Sequence, residues 1–146
     1  RYDALCDTLK EHRLNLDLEC SLLTETDQQL MNSNYLVNRI KKMKHLPDIF
    51  ICGNDWTAIQ IMHAAQFLGY IIPKDFSIMG FDNIAESEHT FPPLTTISTP
   101  KEQLGIAAAT CIINRIQNPD TPYVYSQYMT TLIPRKSIDY KRTENR

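Results

Sequence analysis

The chain has 146 residues, 42% of them apolar, and a formal charge of −2 from 15 basic and 17 acidic side chains. That length suits one compact domain, and the charge balance excludes tight binding to a nucleic-acid backbone by this chain itself. No apolar run reaches the roughly 18–20 residues of a membrane span.

The opening residues, RYDALCDTLKEH, carry Tyr2, Leu5, Cys6 and Leu9 at i, i+3, i+4 and i+7, the spacing of an amphipathic helix interior. They do not resemble a secretory signal, and a start inside a helix leads us to expect a fragment. LDLECSLL, residues 16–23, reads as a strand. Asp27 is placed as the N-cap of a helix over 27–43 with Leu30, Leu36, Val37 and Ile40 as its apolar stripe. The basic cluster Lys41, Lys42 and Lys44 falls on that helix's solvated end.

PDIFIC, residues 47–52, is a short apolar run between turn signals, the pattern of a strand covered on both faces. GND follows, then a helix over 56–68 closed by Gly69, then a strand over 76–79. Strand, helix and strand at this spacing predict a right-handed crossover in a parallel sheet. PPLTTISTP is extended up to Pro100, which opens a helix over 101–116 with Leu104, Ala108, Cys111 and Ile112 inward. A late strand over 124–133 and a charged tail from Arg135 complete the chain.

Two strands thus end in polar residues, Gly53-Asn54-Asp55 and Gly80-Phe81-Asp82-Asn83. In open parallel sheets ligands bind beyond the carboxyl ends of the strands, so Asn54 and Asp82 are expected in one crevice. Asn54 offers donor and acceptor, Asp82 accepts, and Phe81 and Trp56 present flat apolar faces. Such a mixture suits a small polyhydroxylated or heterocyclic ligand. Asp55 reads as the cap of the following helix.

The four cysteines, Cys6, Cys20, Cys52 and Cys111, are scattered without a CxxC or Cys/His ligand pattern. They predict buried reduced thiols in a cytoplasmic protein, with no metal site. His12, His45, His63 and His89 lack a nucleophile or paired carboxylate at a recognisable spacing, no phosphate loop or cofactor motif appears, and Glu86, Glu88 and His89 read as an exposed acidic loop. No enzymatic activity is expected.

Asn-Asp after a strand, the helix ending at Gly69, Pro73 and Asp75, Gly80-Phe81-Asp82, the Pro-Pro-Leu-Thr-Thr-Ile run over 92–97, Pro100 and Leu104-Gly105 form an ordered set between positions 54 and 105. In this combination the chain resembles the C-terminal part of the LacI/GalR family of transcriptional regulators. The first 45 residues match more loosely, with Arg1 standing where relatives carry glycine. The resemblance implies an α/β fold, an incomplete three-layer parallel-sheet lobe of a periplasmic-binding-protein-like effector domain. It places residues 1–98 and 124–146 in the C-terminal lobe and 99–123 in the N-terminal one. With its neighbours missing, the helix over 101–116 is expected to fold back on the C-terminal lobe or to pack on another chain.

By the same resemblance the chain is the effector-sensing and dimerising part of a LacI-type repressor, operator DNA being read by a domain absent here. Its effector is a sugar, a sugar derivative or a purine. Effector contacts fall on Asn54, Asp82, Phe81 and Trp56, with Asp27 or Gln28 from the earlier helix. The effector-holding arginine is expected upstream of Arg1. The homodimer contact falls on Trp56, Ile59, Gln60, His63 and Phe91. A periplasmic-type sugar-binding protein is the alternative.

Overall fold

In the computed structural model, which describes residues 1–140, helix α1 runs Tyr2–Glu11, as its apolar spacing predicts. The expected strand over 16–23 is instead a 3-10 turn at Leu18–Cys20. A strand needs a partner for its ladder, and here a local bond competes: the Glu19 N–H donates to Asp17 Oδ1 at 2.9 Å. The expected helix over 27–43 is likewise two, α2 (Asp27–Leu30) and α3 (Ser33–Lys41). Thr26, not Asp27, caps the first through a capping box with Gln29, and Asn32 restarts the chain by accepting from the Tyr35 N–H at 3.0 Å. Lys41, Lys42 and Lys44 are exposed at the end of α3, and Lys44 pairs with Glu19 at 3.1 Å.

Strands β1 (Ile49–Ile51) and β2 (Ser77–Met79) pair in parallel with Phe50 opposite Ile78, joined by helix α4 (Asp55–Phe67). Ala58, Ile59, Ile61, Met62, Ala64 and Ala65 of α4 are buried and pack with Leu36, Ile40, Phe50, Phe76, Ile78 and Leu94 into the core. The helix ends as expected at Gly69, whose φ of +85° few other residues adopt without strain. Phe67 is exposed; Leu68 packs on the core. After the short helix α5 (Ala85–His89) the chain runs beside β2 through the Met79–Thr95 bridge, then forms β3 (Thr96–Ser98). Helix α6 (Lys101–Gln117) follows, and β4 (Thr131–Ile133) returns antiparallel to β3.

In the C-terminal third the structure excludes one of the two alternatives expected for α6 and corrects two other expectations. α6 buries no side chain: Leu104, Ile106, Ile112, Ile113 and Ile116 are all exposed, so it does not fold back on the sheet. Residues 124–130 pair with nothing that would make them strand, and only Thr131–Ile133 joins the sheet. Arg135 is no solvated tail residue. Its guanidinium donates to the Leu94 carbonyl (2.8 Å), the Asn83 side-chain oxygen (2.9 Å) and the Ser87 hydroxyl (3.1 Å). Ser137 is fully buried, donating to the Ile78 carbonyl at 2.6 Å and accepting from the Thr95 N–H at 2.8 Å. The rest of the expected charged tail, 141–146, lies outside the described residues.

Asp55 corrects a further expectation. The cap of α4 is Asn54, whose Oδ1 accepts from the Thr57 N–H at 2.8 Å. Asp55 is fully buried, accepting from the Thr96 hydroxyl at 2.5 Å and the Ile84 N–H at 2.9 Å. This carboxylate needs a glycine beside it, since a Cβ at position 80 would stand 2.1 Å from Asp55 Oδ1 and 3.0 Å from Leu94 Cδ2. Gly80→Ala should therefore cost about 3 kcal/mol, the upper end of overpacking penalties, because the carboxylate must give up its partners. Urea unfolding should show this as a lower midpoint with an unchanged slope.

The cysteines divide by environment: Cys20 is buried, Cys6 and Cys52 half-buried, and Cys111, expected on an inner face, exposed on α6. Burial, then the nearby Asp55 carboxylate, pushes the Cys52 thiol from an ordinary 9.0 up to about 12. A thiol whose folded value is raised stabilises the fold fully below pH 9 and loses that contribution as pH climbs toward 12. We predict that an aromatic disulfide reagent at pH 8 labels Cys111 first and Cys52 last. Stability to urea should fall between pH 9 and 12, and less so in Cys52→Ala.

Candidate functional site

The carboxyl ends of β1 and β2 lie side by side because the ladder continues past both strands: the Cys52 N–H donates to the Met79 carbonyl at 2.9 Å and the Asp55 N–H to the Phe81 carbonyl at 2.8 Å. The two polar loops therefore form one edge, as the sequence led us to expect. The Asp82 N–H donates to the Ile97 carbonyl at 2.8 Å, and the backbone at Asp82 and Asn83 takes φ values of +106° and +49°. Asp and Asn tolerate that region better than most residues.

The conformation separates the two side chains. Asn83 is turned into structure: it accepts from Arg135 and reaches the Ser98 hydroxyl at 3.4 Å, while its N–H donates to the Thr96 hydroxyl at 3.2 Å. Asp82 remains about one-third exposed, and its recorded partner is Arg1, Nη2 to Oδ1 at 3.8 Å. The Arg1 guanidinium stacks 3.7 Å from the Phe81 ring centroid and donates to the Gly53 carbonyl. A delocalised cation against an aromatic face and a carboxylate is a favourable arrangement.

The sequence reading did not place Arg1 at this edge: Arg1 immediately precedes α1 and meets Gly53 and Asp82 only through folding, across 52 and 81 residues.

Next to Gly53, Asn54 lines a cavity of about 400 Å³ with Asp27, Leu30, Met31, Trp56 and Thr57. This brings Asp27 to Asn54 and Trp56, whereas Gln28 is exposed and does not line the cavity. With Oδ1 of Asn54 committed to the cap, its side-chain N–H groups are what it can offer a ligand. The edge thus carries cation, carboxylate, amide and two aromatic faces within a few residues.

Of the expected dimer residues, Ile59 is removed by the structure: it lies in the core at 5% exposure, because its side of α4 faces Leu36 and Phe50. Trp56, Gln60, His63 and Phe67 mark the outer side of α4, and Gln66 donates to the Phe91 carbonyl, which brings the exposed Phe91 beside them.

One histidine departs from expectation. His45 Nε2 lies 2.6 Å from Asp17 Oδ2, with Cys20 adjacent, a pairing hidden from sequence by a separation of 28 residues. The hydrogen bond from His45 lowers the Asp17 carboxyl below its usual range, and burial raises the Cys20 thiol.

Comparison with known proteins agrees with the fold. The sequence pattern of the periplasmic binding protein-like domain matches residues 1–138. The chain is 31% identical over 134 residues to the HTH-type transcriptional repressor PurR of Serratia proteamaculans, covering 88% of this chain and 39% of that one. A LacI-type transcription regulator from Bifidobacterium animalis has a similar structure, with TM-score 0.76, 28% identity, and coverage of 95% of this chain and 49% of that one. A putative LacI-family regulator from Sanguibacter keddieii shares the fold at TM-score 0.81, with 24% identity and coverage of 93% and 50%. The chain spans about two fifths of the length of the curated relatives it matches. From residue 1 to residue 138 the chain belongs to the periplasmic binding protein-like domain family.

Proposed function

We propose that this chain is the effector-sensing and dimerising part of a LacI-type transcriptional repressor acting in the cytoplasm, with operator DNA held by a separate domain. One observation carries the reading: Arg1, Phe81 and Asp82 meet at the edge where β1 and β2 end, and Arg1 reaches the Gly53 carbonyl next to the cavity that Asn54, Asp27 and Trp56 line. Arg1 and Asp82 supply charge-assisted hydrogen bonds to a sugar or purine, Asn54 an amide donor, and Phe81 and Trp56 stacking faces. The regulators it resembles give the reading its direction. Catalysis plays no part in it.

Mechanistically, a ligand engaging this edge from one lobe and a second lobe from the other would favour the closed arrangement. That closure would change the spacing of two DNA-reading heads, which has to match operator half-sites. A decisive switch takes about 5.5 kcal/mol of differential affinity. Two or three charge-assisted bonds at about 1.5–3 kcal/mol each, with one stacked ring, reach that figure. Residues 1–98 and 124–146 belong to one lobe and 99–123 to the other in this reading; the bare apolar residues of α6 support it.

In the intact protein, a panel of monosaccharides and purine bases should contain a ligand that changes the emission of Trp56, the chain's single tryptophan. Asp82→Ala and Arg1→Ala should each weaken that ligand by about 10- to 100-fold, as expected for a lost charge-assisted bond, while DNA binding is kept. Unaltered ligand affinity in both variants rules the assignment out.

The face made by exposed Trp56, His63, Phe67 and Phe91 with half-buried Gln60 is the proposed homodimer contact. Phe91→Glu places a charge there without disturbing the core and should convert dimer to monomer in sedimentation velocity; a dimer of wild-type strength would move the contact elsewhere.

A further inference from the structure

Asp17, Cys20 and His45 bring three different metal-binding atoms together, one carboxylate oxygen, Sγ and an imidazole nitrogen, all within 4.8 Å of one another. No other group of three or more His, Cys, Asp or Glu residues converges in this way among the described residues. Asp17 and Cys20 come from the turn after α1, and His45 from the loop leading into β1.

The chemistry of the set is selective. Carboxylate, thiolate and imidazole together suit zinc, which takes mixed oxygen, sulfur and nitrogen ligands in a tetrahedron. With metal–ligand distances of about 2.0–2.3 Å, tetrahedral donors stand about 3.3–3.8 Å apart. The His45 Nε2–Asp17 Oδ2 pair, at 2.6 Å, has to open by about 1 Å and the widest pair of the set, within 4.8 Å, has to close by about as much, rotations within reach of exposed side chains. Asp17 and His45 are the exposed members, at 43% and 56%, and Cys20 is the fixed one at 2%. Asp17 is already oriented: Oδ1 accepts the Glu19 N–H, leaving Oδ2 toward His45. All three residues line a cavity of about 640 Å³ between α1 and β1, which gives an ion a path and a fourth, water-held position.

We infer that Asp17, Cys20 and His45 form a zinc site that ties the turn after α1 to the loop before β1. The Cys20 thiol, which donates to the His45 carbonyl oxygen at 3.0 Å in the free chain, releases its proton to solvent on binding, and His45 binds as neutral imidazole through Nε2. Sγ then turns from the carbonyl to the metal. The clip would hold the segment beside β1 that forms no strand of its own.

The test is zinc titration of the full chain after chelator treatment, with cobalt as the spectroscopic substitute. One zinc per chain should bind and raise the melting temperature. Cobalt should give the intense visible bands of four-coordinate geometry and a thiolate charge-transfer band. His45→Ala, a change at an exposed position, should weaken zinc by about 100-fold or more, the loss of a direct ligand exceeding outer-shell effects of about 10- to 100-fold. Cys20→Ser should remove the charge-transfer band, and the Cys6→Ser, Cys111→Ser double variant should keep it. The inference fails if zinc does not bind, if His45→Ala binds and is stabilised like the wild type, or if the charge-transfer band follows Cys111.

Discussion

The buried Asp55 carboxylate joins three parts of the chain that are far apart in sequence. It starts α4, its own N–H is bonded to the Phe81 carbonyl, and its two oxygens take the Thr96 hydroxyl and the Ile84 N–H. A buried carboxylate is costly unless its lone pairs are satisfied, and removing either partner would leave a charge without compensation. The arrangement therefore fixes the loop after β2 against both the start of α4 and β3. At Gly80 the carboxylate occupies the space a Cβ would take, which is why no side chain fits there.

Arg135 and Ser137 complete the same frame from the other end of the chain. Arg135 satisfies the carbonyl of Leu94 and the side chain of Asn83, while Ser137 bridges Ile78 and Thr95. Together these bonds fill the positions a longer sheet would supply. They also determine which loop residues are left for a ligand: Asn83 is held by Arg135, and Asp82, one residue earlier, keeps its carboxylate at the edge with Arg1.

Two parts outside this frame carry unmet apolar surface. α1 covers the side of β1 only loosely, over a cavity lined by Leu5, Leu9, Leu14 and Phe50, and α6 carries its isoleucines into solvent. Both are good helices locally, so propensity forms them without a partner surface. Their exposed faces agree with a chain that spans only part of the length of its relatives.

Local chemistry was legible in the sequence. The apolar runs before Cys52 and Met79, the stop at Gly69 and the polar residues after each strand placed the β1-α4-β2 unit and the polar edge where its strands end, because periodicity and turn residues act over a few positions. Tertiary structure decided the rest. Whether residues 16–23 and 124–130 became strands depended on neighbours able to accept their hydrogen bonds, and no local pattern reports a neighbour. Asn54 took the capping role expected of Asp55, and Asp55 became a buried acceptor, because capping geometry and a hydroxyl 41 residues away chose between two adjacent polar side chains. Arg1 reached Asp82, Arg135 reached Leu94 and His45 reached Asp17 only through folding, since contacts across 28 to 81 residues leave no mark in spacing.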